Sequence, residues 1–262
     1  MSSVTGRIKQ VTQPRGGYLK PKDFEAVSFD DGLTLHTSEN LHPVMIGLVV
    51  DGLTRVMTGT SARQAFDIAF KGATVAENAY GVEGALETAR KLLSNGRIKG
   101  LDAASIINAC KVATFDVWYR NPMAARYSPG VDDTLPDPNT IENIRLMVER
   151  TLRFWGEYGP VVMDGFTFAP YGYTETVDTG DGDYLTSNGL WDMKVSKAKP
   201  TSKHTLQLLM YWRMGLKSGQ DVFQSIETIG VFNPRLNMAW VLDVKSIPDS
   251  VIETVERDVI GY

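Results

Sequence analysis

Residues 180–196 read GDGDYLTSNGLWDMKVS, and this stretch decides the predicted fold. The Asn-Gly dipeptide at 188–189 is the strongest short-range signal for a β-hairpin, because a type I′ turn needs positive φ at both central positions. If that dipeptide forms a two-residue loop, Asp183 lies opposite Lys194. Side chains alternate along a strand, so Asp183, Asp192 and Lys194 are predicted to project from one face.

Two carboxylates and one ammonium on a single face suit metal-assisted hydrolysis of a phosphodiester. Opposite Cβ atoms in a hairpin lie about 5 Å apart and diagonal ones about 7–8 Å, so the two aspartates can share one ion. A bound Mg²⁺ keeps several waters, lowers the pKa of one of them and neutralises charge on a phosphate. Lys194 is placed to act on the same water or on the phosphate. The alternative is that Asp183 and Lys194 form a surface ion pair worth less than about 1 kcal/mol, but such a pair does not need Asp192.

Asp183, then Asp192-Met193-Lys194, then Gln-Leu-Leu-Met-Tyr at 207–211 together resemble the D…DxK…QxxxY signature of the PD-(D/E)XK nuclease superfamily. The resemblance is to the RecB-type exonuclease branch, which includes the lambda exonuclease group and the CRISPR-associated adaptation nucleases. It is sharp over residues 183–211 and looser over the rest of the C-terminal half.

The resemblance implies a role for each residue that matches the signature. Asp183 and Asp192 would bind Mg²⁺ or Mn²⁺, and Lys194 would assist the attacking water. Gln207 and Tyr211 would lie on the following helix and approach the site or the DNA backbone. On spacing alone, the last two are unremarkable helix residues.

Two further residues bear on this resemblance. In the RecB-type branch a histidine near the first helix often joins the metal site, and His42, just before Pro43, is the candidate here; the alternative is a helix-start histidine bound to local backbone. Some relatives carry a four-cysteine iron–sulfur cluster, but this chain has one cysteine, Cys110, and cannot hold such a cluster or an internal disulfide.

The chain is predicted to have three parts. Residues 1–40 are expected to form an arm or small β-ribbon with strand-like pieces at Gly6–Val11 and Ala26–Phe29. Residues 41–158 are largely helical, and residues 159–262 form the nuclease-like core. The expected fold class is α/β, with a mixed central β-sheet and flanking helices, which the resemblance makes a restriction-endonuclease-like core.

Capping and periodicity place the individual elements. One predicted helix begins at Pro43, and a second begins after Ser61 and ends near Gly72. Further helices are predicted at 75–94, 103–120, 140–158, 205–216 and 246–260. The last two strands are predicted at 227–232 and 238–244. Four prolines interrupt regular structure at 121–138, where Arg126 is a candidate phosphate contact; a plain surface loop is the alternative.

Composition limits the class of protein. With 43% hydrophobic and 22% charged residues among 262, the chain is typical of a soluble globular protein of one large domain or two intimate ones. No stretch approaches the roughly 18–20 apolar residues of a membrane span, so the expected location is cytoplasmic. A net charge of −4 argues mildly against a broad nucleic-acid-binding surface, although a local basic groove can coexist with it.

The function predicted from these features is a Mg²⁺- or Mn²⁺-dependent deoxyribonuclease, expected to be an exonuclease, acting in recombination, repair or phage and mobile-element DNA processing. Its expected partner is DNA, and no membrane association is expected. The chain is also expected to form a homo-oligomer or to bind a phage or recombination protein. One alternative is a catalytically silent protein of the same fold that binds nucleic acid or a partner protein. Another is an unrelated domain in which Asp183 and Lys194 are a surface pair.

Overall fold

The computed structural model describes residues 2–94 and 96–262. The chain divides into two compact units, one formed by Met1–Asp31 together with Phe154–Tyr262 and the other by Gly32–Arg153. We call the first the sheet unit and the second the helical unit.

The α-helices of the described residues are, in chain order, α1 (Val4–Gln10), α2 (Pro43–Met57), α3 (Ala62–Ala65), α4 (Asp67–Tyr80), α5 (Ala85–Leu92), α6 (Ala103–Ala113), α7 (Asp116–Arg120), α8 (Pro122–Ala125), α9 (Pro138–Tyr158), α10 (Ser202–Lys217) and α11 (Asp249–Thr254). A π-helical segment, Val255–Ile260, continues α11. The strands are β1 (Ser2–Ser3), β2 (Glu25–Ser28), β3 (Met163–Asp164), β4 (Val177–Thr179), β5 (Tyr184–Leu185), β6 (Gly189–Met193), β7 (Thr228–Asn233) and β8 (Met238–Asp243). None of the described helices combines the length and apolar character needed to cross a bilayer.

The sheet unit is built on a six-stranded mixed sheet in the order β2-β8-β7-β6-β5-β3. Strands β6 and β7 are parallel and are connected through α10, whereas the other neighbours are antiparallel. Strands β1 and β4 form a separate parallel pair. The expected α/β class with a mixed sheet and flanking helices is confirmed.

Each face of the central sheet packs against a helix. On one face, Leu185 and Leu190 belong to a buried apolar cluster that includes Leu206 and Leu209 of α10. On the other, the last turns of α9 bring Phe154 against Trp191 of the sheet, where several aromatic rings form a cluster that we call the aromatic ladder. Fully burying a side chain of this size contributes about 1.5–3 kcal/mol, so both faces help to hold the sheet.

The aromatic ladder fixes the position of strand β6. The ring of Phe154 stacks on Phe232 with centroids 4.1 Å apart and meets Trp191 edge-on at 4.9 Å. Glycines make room for the indole, because a Cβ at Gly230 would lie 2.3 Å from Trp191 and one at Gly189 would lie 2.4 Å from it. Gly189 is therefore needed for close packing.

The predicted register of the hairpin is wrong, because Gly189 lies in strand β6 and not in the turn. Leu185 pairs with Leu190, so the bend falls at 187–188 and not at 188–189. Positive φ is not found at either residue of the predicted dipeptide, so no type I′ turn forms there. The pairing is shifted by two positions, and an even shift leaves every side chain on its predicted face.

The N-terminal segment differs from its predicted strand. Gly6–Val11 was expected to be extended, but Val4–Gln10 is helical. The hydroxyl of Ser3 accepts a hydrogen bond from the backbone N–H of Gly6 at 3.0 Å, which caps the helix, and Val4 and Ile8, four residues apart, are buried together. The other strand-like piece is confirmed, since β2 pairs with β8.

In the helical unit, Gly72 does not end a helix as predicted. It lies inside α4, where a Cβ would come 1.9 Å from the backbone carbonyl oxygen of Phe115, so the missing side chain allows α4 to approach the start of α7. The helix ends instead at Gly81, whose φ of 67° is left-handed. The predicted helix at 75–94 is therefore two helices, and the predicted helix at 103–120 is likewise divided after Ala113.

Candidate functional site

Two aspartates of the predicted constellation meet at the hairpin. Asp192 lies in β6, in the interior of the sheet, and is 1% exposed. Asp183 lies just before β5, and its Oδ2 accepts a hydrogen bond from the backbone N–H of Met193 at 2.8 Å. The side chain of Asp183 thus reaches the strand that carries Asp192.

Lys194 completes this group, although not with the acid that the predicted register placed opposite it. Its ammonium nitrogen donates to Oδ1 of Asp192 at 2.8 Å, and its side chain is 31% exposed. The lysine therefore links the buried carboxylate to the protein surface.

The second carboxylate oxygen of Asp192 has no hydrogen-bond partner among the described residues, although it is buried. A buried polar atom without a partner costs about 1–3 kcal/mol, and more if it is charged. In native proteins such a group usually has a specific reason, such as an ordered water, a bound ion or a catalytic role. This oxygen can accept a hydrogen bond or bind a cation.

Helix α10 carries the other two predicted residues one turn apart. The Nε2–H of Gln207 donates to the hydroxyl oxygen of Tyr211 at 2.8 Å, and that hydroxyl donates to the backbone carbonyl of Asp181 at 2.7 Å. Burial, followed by the negative charge of Asp192, raises the pKa of Tyr211 above its usual range. The phenol consequently stays protonated and ties α10 to the segment that leads into Asp183.

His204 lies near the site but is not among the predicted site residues. Its Nδ1 accepts from the backbone N–H of Thr201 at 3.1 Å, and the two residues form a capping box at the start of α10. Burial and the positive charge of Lys194 lower the pKa of His204, while Asp192 acts in the opposite direction. The signal was the spacing Thr201-x-x-His204, which the predicted helix start at 205 left outside the helix.

His42 lies in the helical unit, where it precedes α2. Its Nδ1 accepts from the backbone N–H of Val44 at 3.3 Å, so the imidazole serves as the N-cap of that helix. This contact accounts for the side chain by local backbone chemistry. Its role as a metal ligand stays a prediction.

The donor set at the hairpin fits a hard divalent cation. Within residues 2–94 and 96–262, no group of three or more His, Cys, Asp or Glu side chains is arranged to hold a metal ion. Mg²⁺ is commonly held by one or two carboxylates with waters and substrate phosphates completing its shell, and two carboxylates are compatible with that kind of site. The unpartnered oxygen of Asp192 is the atom that fits this use best.

Comparisons with family models, with curated proteins and with solved structures found no match to this chain. The function is therefore inferred from the residues and their geometry.

Proposed function

We propose that this protein is a Mg²⁺- or Mn²⁺-dependent deoxyribonuclease with a restriction-endonuclease-like core of the PD-(D/E)XK type. The single observation that carries the proposal is the environment of the buried Asp192. One of its carboxylate oxygens accepts a hydrogen bond from the ammonium of Lys194, and the other has no partner among the described residues. Burying a carboxylate costs free energy, and an ion pair to one of its oxygens recovers only part of that cost. A cation bound to the other oxygen would offset the rest.

The chain's own residues divide the work of hydrolysis. Asp183 and Asp192 would hold the cation, which when bound neutralises charge on the scissile phosphate and lowers the pKa of a water. Lys194, partly exposed beside Asp192, would donate to a phosphate oxygen or orient the attacking water. Tyr211 and Gln207 hold the backbone before Asp183 in position through the carbonyl of Asp181.

Exposed lysines near the site support a nucleic-acid substrate. Lys197 and Lys199 lie in the loop after β6, Lys203 lies in the first turn of α10, and all three are exposed. They add local positive charge to a protein whose net charge is −4. Phosphate contacts of this kind position a duplex or a strand without reading its sequence.

The experiment is divalent-dependent cleavage of end-labelled linear DNA by the purified protein, with a covalently closed circle run in parallel. We expect cleavage with Mg²⁺ or Mn²⁺ but not in EDTA, and loss of activity by about a hundredfold or more in Asp192→Asn and Asp183→Asn, since the cation supplies several kcal/mol. Asp249→Asn, an exposed acid at the start of α11, is the matched control and should cleave normally. Resistance of the circle would identify an exonuclease.

Equal cleavage by the wild type and Asp192→Asn would contradict the assignment, because the activity would then come from elsewhere. Calorimetry with Mn²⁺ gives an independent check, since the wild type should bind the ion and Asp192→Asn should not. DNA binding without cleavage under any divalent ion would favour the catalytically silent alternative.

A further inference from the structure

The helical unit contains a cavity of about 390 Å³ beside the proline-rich break at 121–138. It lies between α7, the segment after α4 and the loop that follows α8. Its walls include Val82, Phe115, Trp118, Arg126, Pro129 and Val131. Small-molecule sites commonly have volumes of about 300–1,000 Å³ and mostly apolar linings with few polar groups, which this cavity matches.

One positive charge at the edge of the cavity lies over an aromatic ring. The guanidinium carbon of Arg126 lies 5.5 Å from the centroid of the Tyr80 ring, and that ring lies 5.3 Å from Trp118 at an angle of 49°. Of the lining residues that the structure describes, Arg126 alone is charged, and no ion pair with a carboxylate is found for it in the described part of the chain. The guanidinium is therefore available to an anion.

The surface around this charge is unusually aromatic for an exposed region. Tyr80 is 37% exposed, and Tyr127, which follows Arg126, is 89% exposed. Exposed aromatic rings beside an arginine are the elements that proteins use to hold unpaired bases, because every base has a stacking face and every nucleotide carries a phosphate.

We propose that this cavity binds an unpaired nucleotide, with its base against Trp118 and its phosphate on Arg126. The nucleotide comes either from the free pool or from a single strand of DNA, and both sources present the same chemistry. This binding goes beyond the proposed hydrolysis and needs neither Asp192 nor a divalent ion.

The test is the fluorescence anisotropy of a labelled oligo-dT in EDTA, where no cleavage takes place, with dTMP and a blunt duplex as competitors. Stacking and charge contributions of the usual size predict that Arg126→Ala and Trp118→Leu each weaken binding by about tenfold. The matched control is Arg90→Ala, because Arg90 is an exposed arginine on α5 outside the cavity. It should bind like the wild type.

Competition by dTMP would support the cavity as a site for a free nucleotide, and competition by oligo-dT alone would support a site for a strand. Absence of oligo-dT binding, equal affinity of Arg126→Ala and Arg90→Ala, or equal competition by the blunt duplex would overturn the inference. Arg126 is exposed, so its variant tests the idea even if Trp118→Leu does not fold. The result is independent of the cleavage assay, so the two proposals fail separately.

Discussion

Replacing Lys194 by methionine is expected to destabilise the protein by about 3 kcal/mol, whereas Asp192→Asn should change the free energy of unfolding by no more than about 1 kcal/mol. The difference follows from exposure, because Asp192 is 1% exposed and the side chain of Lys194 is 31% exposed. Without the lysine, a buried carboxylate is left with neither oxygen paired. Without the acid, the ammonium can turn toward water.

Different costs set the two changes in stability. Removing the partner of a buried charge costs about 3–5 kcal/mol of stability. Because the side chain of Lys194 is partly exposed, we expect a cost near the lower end of that range. In Asp192→Asn, the loss of a charge-assisted hydrogen bond, worth about 1.5–3 kcal/mol, is largely offset because a neutral amide is cheaper to bury than a carboxylate with an unpartnered oxygen.

Urea unfolding in EDTA measures both changes, with Lys197→Met as the control for losing an exposed lysine. The double variant Asp192→Asn/Lys194→Met should be more stable than Lys194→Met alone, because no charge is then stranded. Equal destabilisation by the two single variants, or a double variant that is the least stable of all, would refute the reasoning and make the pair an ordinary structural salt bridge.

Three other outcomes follow from single residues. Gly72→Ala should lower the free energy of unfolding by about 1–3 kcal/mol or more, because the new methyl group meets the carbonyl of Phe115. Gly156→Ala, on the exposed side of α9, should raise it by about 0.5–1 kcal/mol. Thermal unfolding compares the two variants. Burial lowers the pKa of His204 below its usual 6.5, so the unfolded chain takes up a proton more readily and stability should fall as pH drops below 6.5. His204→Gln, which keeps a capping side chain but does not titrate, should reduce this slope in urea titrations at pH 5 to 7. Burial also raises the pKa of the Cys110 thiol to about 12, so a thiol reagent at pH 8 should label it in urea and not in the native protein.

The sequence predicts which face of the hairpin carries the acids, but not how the strands pair. Alternation alone places Asp183, Asp192 and Lys194 on one side, and any even shift preserves it. The register depended on giving Gly189 a turn conformation, whereas the glycine makes room for the Trp191 indole. Such a contact arises from tertiary packing and leaves no local signal.

Long periodic helices were predictable, and their interruptions were less so. Helix α9 ends at Tyr158 as predicted, and α10 begins at Ser202, three residues before its predicted start at 205. Gly72 was read as a helix end because a glycine commonly follows one, but a neighbouring carbonyl requires it inside α4. The box that begins α10 uses histidine where glutamate or glutamine is usual, so the sequence rule did not find it.

The sheet unit is assembled from two stretches of chain that the entire helical unit separates. Among the described strands, β2 pairs with β8 alone, so the pairing of Glu25 with Val241 cannot form until the end of the chain has been made. On the ribosome, the helical unit emerges complete while β2 is still without its partner strand. An early strand with open hydrogen-bonding groups is a point where newly made chains can associate wrongly. Synthesis slowed after residue 153 should therefore increase aggregation of this protein.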